Sequence, residues 1–261
     1  MSTLQNIASA LVATLVLSGC GGGGTSVSGV SNEYYVQVAQ HQSGQKVFLG
    51  NEVEEGQMKA FAALMPSEQV LKNEYVDEDG SPVNIVYSSY FGTTPYGDVT
   101  KVTASSNGQT SENYVYFHNG TNGETTFVGK ISNGVITHLA TGDKLTSIPS
   151  GTFTYRGGHF LFNDGFPQSG TFTMNVNFTS GSAALQANTS TYSVSANDIV
   201  IGSSGQFESN NLTVENLYSS NAGSLKNGEL DGTFTGAGAL GVVGVYSSSD
   251  GRVSGTFSGS K

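Results

Sequence analysis

The chain has one cysteine, Cys20, no tryptophan, and only 11% charged side chains in 261 residues. A lone cysteine excludes an internal disulfide and a multi-cysteine metal site. A chain of this length can dispense with disulfides because it is long enough to bury its own core. Basic residues are scarce, ten against twenty acidic, for a formal net charge of −10. That sign repels phosphate, which argues against nucleic acid and against an electrostatic grip on anionic lipid. Catalytic signatures are missing as well. There is no Gly-x-Ser-x-Gly elbow, P-loop or dinucleotide fingerprint, and His41, His118, His138 and His159 share no metal-ligand spacing. Paired carboxylates cannot be singled out, so an enzyme is the weaker class, with no catalytic or metal-binding residues assigned.

What the chain has in quantity is glycine, 36 residues, with serine, threonine and asparagine, plus 14 phenylalanines and 12 tyrosines. This is the profile of a turn-dense extracellular β protein.

At the amino terminus Ala8–Leu17 is apolar but too short to span a bilayer, and it has the length of a signal-peptide core. It runs into Leu17-Ser18-Gly19-Cys20, which resembles the lipobox of bacterial lipoproteins. The resemblance implies cleavage before Cys20 and lipidation of that residue, leaving no thiol for chemistry. Residues 1–10 carry no Lys or Arg, a departure that a misassigned start codon explains. The competing reading is a cytosolic chain with Cys20 buried. Gly21–Gly29 then reads as a flexible tether. Gly21 is not the aspartate that often retains lipoproteins in the inner membrane, which points to the outer membrane. The chain divides into a signal peptide (1–19), a lipidated Cys and tether (20–30), an amino-terminal β domain (31–148) and a carboxy-terminal barrel (149–261).

Residues 21–148 hold 13 acidic and 6 basic side chains, the remainder 7 and 4, so the acidity belongs mainly to the first body. Tyr34–Val38 reads as a strand, paired with Lys46–Leu49 across His41–Gln45. Asn51–Met65 changes period, and its early glutamates favour a short amphipathic helix that Pro66 ends. Strands follow at Val83–Phe91, Asp98–Ala104, Tyr114–His118, Thr125–Lys130 and Val135–Leu139, with Asn-Gly and Asp-Gly turns between them.

From Gly151 the spacing predicts eight or nine short strands: Gly151–Tyr155, Gly170–Phe178, Ala183–Ala187, Thr191–Val194, Asp198–Ile201, Leu212–Leu217 and three more within Gly228–Lys261. Regular short strands favour an up-and-down antiparallel barrel, which removes exposed edges. Phe172, Met174, Val176 and Phe178 alternate onto one face, most simply a packed interior rather than a ligand cavity. The strands are too short for a porin. Gly-Thr-Phe occurs four times, at Gly151–Phe153, Gly170–Phe172, Gly232–Phe234 and Gly255–Phe257.

The terminal pattern Gly-Thr-Phe-Thr-Gly, a small-residue turn, Ala-Leu-Gly-x-x-Gly-Val-Tyr and a last Gly-Thr-Phe-Ser-Gly-x-Lys resembles the carboxy-terminal barrel of transferrin-binding-protein-B-like surface lipoproteins. Gly241-Val242-Val243-Gly244 stands where that family has a Gly-Gly pair. The resemblance covers about residues 150–261. It implies a mainly β fold of about eight barrel strands, with residues 31–148 as the preceding handle domain. It also implies a monomer on the outer-membrane surface that serves a TonB-dependent receptor and reaches the surface through a surface lipoprotein assembly modulator.

Secreted hemophilin-type haem carriers resemble the same handle-plus-barrel layout. Imidazole and phenolate are usual haem-iron ligands, so His41, His118, Tyr34 and Tyr116 are candidate ligand residues, with haem as the cofactor they would hold. The alternative is that these histidines are surface polar residues at turns. Asp77-Glu78-Asp79-Gly80 lacks the closing glutamate of an EF-hand, and a solvated acidic turn is the better reading. Two function classes stay open. One is capture of iron, haem or an iron-bearing protein for an outer-membrane transporter. The other is binding of a host or neighbouring macromolecule through loops.

Overall fold

The computed structural model describes residues 39–43, 46–50, 74–76, 82–106, 109–118, 125–132, 135–163, 166–218 and 225–261, with side chains of the first part described only in places. Every regular element among these residues is a strand. The first eight are β1 (Ala39–Ser43), β2 (Lys46–Gly50), β3 (Glu74–Val76), β4 (Pro82–Thr94), β5 (Gly97–Ser106), β6 (Gln109–His118), β7 (Thr125–Ser132) and β8 (Val135–Asp143). They form one antiparallel sheet in the order β1-β2-β8-β7-β6-β5-β4-β3. A meander from β3 to β8 brings β8 back beside β2, with Lys46 opposite Asp143.

The next eight are β9 (Thr152–Asn163), β10 (Phe166–Asn177), β11 (Ser182–Thr189), β12 (Tyr192–Ile201), β13 (Gln206–Asn216), β14 (Leu225–Thr235), β15 (Gly241–Ser247) and β16 (Val253–Ser260). Each pairs with its neighbour in sequence, and β16 pairs back onto β9 to close an eight-stranded barrel. The mainly β, up-and-down architecture expected from the spacing is the one found. The expected strand at Tyr34–Val38 and helix at Asn51–Met65 lie outside the described residues.

Four local expectations are corrected. His41–Ser43 belongs to β1 rather than to a turn. Thr191–Val194 and Asp198–Ile201 are one strand, because Asn197-Asp198 forms a bulge where the β11 register shifts between Ala183 and Leu185. β9 continues through Arg156-Gly157-Gly158 to Asn163, a run whose glycines hide the alternation. Phe91–Asp98 is the tip of a hairpin with only Pro95-Tyr96 as its turn.

The barrel interior explains the strand glycines. Four aromatic residues face a glycine directly across the ladder: Phe172 opposite Gly157, Phe207 opposite Gly232, Tyr246 opposite Gly255 and Phe257 opposite Gly244. Each ring lies over its partner glycine, so a Cβ there would overlap ring atoms. An eight-stranded barrel has room for one layer of side chains at a time. Alternating large and absent side chains lets the rings interdigitate. In three Gly-Thr-Phe copies, at Gly170, Gly232 and Gly255, glycine and phenylalanine share the inner face. Phe172, Phe234 and Phe257 are fully buried beside Tyr155, Met174, Val176 and Leu185. The packed interior expected from β10 is therefore present.

One end of the barrel is closed. Residues 144–151 cross it, with Gly236 N–H donating to the Asp143 carbonyl (2.8 Å), Gly238 N–H to Ser147 Oγ (3.0 Å), and Leu145 packed on the core beside Gly205. The turn there places Gly236, Gly238 and Ala239 at positive φ, and the Ala239 carbonyl accepts Tyr155 O–H at 2.5 Å. That hydrogen bond anchors a conformation that alanine rarely adopts.

Candidate functional site

Histidines are the side chains with most chemical scope here, and the structure separates all four. In β9, Tyr155, Gly157, His159 and Leu161 alternate inward, so His159 enters the core, where its Nε2 and Tyr246 Oη are hydrogen-bonded. Nδ1 has no partner in hydrogen-bond geometry, although the Asn188 backbone lies alongside and favours protonation. Burial outweighs that influence and holds the imidazole pKa down at about 3. Burial also pushes the Tyr246 phenol well above its usual 10. The pair is therefore neutral. It is a core hydrogen bond, not an acid–base couple open to a substrate.

His138 lies where the sheet meets the barrel. Its Nε2 is 2.8 Å from Ser254 Oγ, and its ring packs 5.8 Å from that of Phe162. Phe160 and Phe162 alternate to the outer wall of β9, where Tyr114 covers them at centroid distances of 5.5 and 5.7 Å. Ala140, Val243 and Val245 continue this seam. The sequence reading did not single out His138 or His159. Strand parity was the available signal: His159 shares the inward phase of Tyr155 and Leu161, and His138 shares that of Ala140.

The candidate ligand residues fall in the first sheet. His41 is central in β1, opposite Phe48, and His118 ends β6, opposite Gly97. β1 and β6 are four strand steps apart, about 19 Å at ordinary interstrand spacing. His41 and His118 thus stand as alternatives rather than as two ligands of one iron. Tyr116 is two residues before His118 in β6. Tyr34 lies outside the described residues. His138 and His159, held by Ser254 and Tyr246, are placed for structure rather than for a haem iron.

On the outer wall Asp231 stands opposite Glu208. Burial, with Glu229 and Glu208 adding repulsion, pushes its pKa up to about 6. Among the described residues no group of three or more His, Cys, Asp or Glu could hold a metal ion. The barrel end away from residues 144–151 carries the β9–β10, β11–β12, β13–β14 and β15–β16 connections. There Phe166 is 72% exposed, Tyr218 78% and Leu217 51%.

No family model and no curated protein matches this chain. Solved structures do. Transferrin binding protein B from Haemophilus parasuis Hp5 is 13% identical over 72% of this chain and 40% of its own, with a TM-score of 0.47. The protein of that name from serogroup B Neisseria meningitidis is also 13% identical, over 72% of this chain and 39% of its own, with a TM-score of 0.47. The N-lobe of lactoferrin binding protein B from Moraxella bovis is 12% identical over 75% of this chain and 94% of that one, with a TM-score of 0.38. The resemblance read from the terminal strands recurs among solved structures. This chain spans about 40% of the length of the first two proteins.

Proposed function

We propose that this chain is an outer-membrane lipoprotein, anchored through Cys20 and displayed at the cell surface, that captures iron, haem or an iron-bearing protein for an outer-membrane transporter. The observation that carries a binding rather than a catalytic role is the barrel interior. Aromatic rings fill it and its histidine is buried and neutral, so the barrel acts as a rigid support and recognition falls to loops and to the first sheet. The lipobox supports the anchor, and the motifs of the last three strands support the ligand class. A TonB-dependent receptor is the partner that such capture requires.

Haem is the form of ligand that gives the simplest readout. Mixing the purified protein with haemin should give a Soret band, and either His41→Ala or His118→Ala should shift or abolish it. Unchanged haem affinity in both variants removes these ligands. In that case exchange of the Phe91–Asp98 hairpin tip, where Pro95 is exposed, should weaken binding of an iron-bearing protein such as transferrin. Absence of both activities overturns the reading.

A further inference from the structure

Among the described residues six large hydrophobic side chains are exposed, and they divide between the two ends of the barrel. At the end crossed by residues 144–151 they are aliphatic: Ile148, Leu240 and Val200, the last but one residue of β12. At the far end they are Phe166, Leu217 and Tyr218. Phe166 opens β10 and has the inward parity of Phe172, yet it lies outside the core. β11 stops at Thr189, opposite Gly170, so the β9–β10 hairpin stands four residues beyond its neighbour, about 13 Å. The Phe166 ring, 72% exposed, tops that projection. Beyond the β11–β12 hairpin, Leu217 N–H donates to the Thr191 carbonyl (2.8 Å) and Tyr218 N–H to Asn216 Oδ1 (2.9 Å). The backbone is thus fixed while both side chains stay in solvent, Tyr218 at 78%.

The first sheet shows, independently, from which end the chain enters the folded body. β8 runs from His138, hydrogen-bonded to Ser254 toward the far end, to Asp143, whose carbonyl accepts Gly236 N–H at the closed end. Pairing sets Gly50 opposite Leu139 and Ala39 opposite Gly50. β1 therefore begins toward the far end, and the chain arriving from Cys20 enters there. The same ladder aligns Thr141, Thr125, Phe117, Asp98 and Thr93 in one row across β8 to β4. His118 and the Pro95-Tyr96 turn accordingly lie toward the closed end.

We infer that the far end of the barrel faces the membrane and that Phe166, Leu217 and Tyr218 enter its interfacial layer. The inference rests on the Cys20 anchor proposed above. That anchor sets a distance and not an orientation: residues 20–38 can span at most about 65 Å, and either end of the body could turn toward lipid. Aromatic rings, with an apolar body and in tyrosine a polar tip, suit the headgroup boundary. Attraction to anionic lipid cannot supply the contact. Asp164, Glu215 and Asp250 outnumber Lys226 and Arg252 at this end, and the chain carries −10 overall. Burial of apolar side chains can supply it. The same orientation turns His118 and the Pro95-Tyr96 turn away from the membrane, where a soluble ligand arrives.

The chain has no tryptophan, so a single introduced one reports on its own position. The test places the lipidated protein in phosphatidylcholine vesicles, carrying Phe166→Trp, Tyr218→Trp or, as the closed-end control, Val200→Trp. All three parent side chains are more than half exposed, so each variant should keep the parental melting temperature. At positions 166 and 218 the emission should shift to shorter wavelength, be quenched by lipid brominated in its acyl chains, and lose most of its quenching by iodide. At position 200 iodide should quench freely and brominated lipid should not. Three iodide-accessible reporters on vesicle-bound protein overturn the inference and leave the anchor standing. So does a shielded reporter at position 200 with the other two exposed. Shielding from iodide without quenching by brominated lipid marks contact between copies and overturns it too. Protein that fails to sediment with the vesicles overturns the anchor and this inference together.

Discussion

Tyr246 does two things at once: its ring occupies the space left by Gly255 across the ladder, and its hydroxyl meets His159. Such a pair makes the barrel core sensitive to acid. Unfolded, His159 titrates near 6.5; folded, at about 3. Between those values the unfolded chain binds more protons, so this residue's contribution to stability falls as the pH drops from about 6.5 toward 3. Asp231 works in the opposite sense. Its folded pKa of about 6 lies above the unfolded 3.8, so its contribution falls as the pH rises from about 4 to 6. Urea unfolding should therefore show Asp231→Asn more stable than the parent by about 1–3 kcal/mol at neutral pH, with the gain gone near pH 3.5. His159→Gln should flatten the acid limb that the parent shows between pH 6.5 and 3. A variant Asp231→Asn whose advantage is the same at both pH values would show that the carboxylate is not desolvated.

At the scale of the element, the unit of construction is a pair of neighbouring strands with a ring on one facing a glycine on the other. Gly244→Val should displace the Phe257 ring and cost about 1–3 kcal/mol, read as a lower melting temperature with the spectrum of a β protein retained. An unchanged melting temperature would mean that Phe257 has room to move. Deleting Val253–Lys261 removes β16, leaving β9 and β15 with unpaired edges and the interior without Phe257. The expected product is an aggregating species rather than a monomer. A monomer of parental heat stability would refute closure through β9 and β16.

The sheet and the barrel meet through a largely apolar seam, and this governs how the whole molecule can be cut. Residues 149–261 contain all eight barrel strands, but alone they would expose Phe160, Phe162, Val243 and Val245, which Tyr114, His138 and Ala140 lie against in the full chain. We expect the fragment to fold as a closed barrel, to melt below the intact protein and to self-associate, as sedimentation would show. A fragment as stable and monomeric as the whole would mean that the seam contributes nothing. At the other end of the chain, Cys20→Ala should leave uncleaved precursor or release the protein from the membrane fraction. Palmitate labelling that persists in this variant would sink the lipobox reading.

Turn chemistry and alternation are local properties, and they determined the architecture. Asp250-Gly251 and Gly236–Ala239 end strands because their backbone adopts positive φ at Gly236, Gly238, Ala239 and Gly251. The inward phase of Phe172, Met174 and Val176 can be read from β10 alone. The recurrence of Gly-Thr-Phe was also visible, but its meaning was not. Which glycine each ring covers depends on register between strands, and register is set by the closed ladder rather than by either strand. The same holds for the histidines. His159 and Tyr246 are 87 residues apart and meet only because β9 and β15 both flank β16. His138 meets Ser254 across 116 residues only because the sheet lies on the barrel wall. The Arg156-Gly157-Gly158 run reads locally as a break. It is a strand because Phe172 fills the space over Gly157, a contact between β10 and β9 that only the tertiary structure supplies.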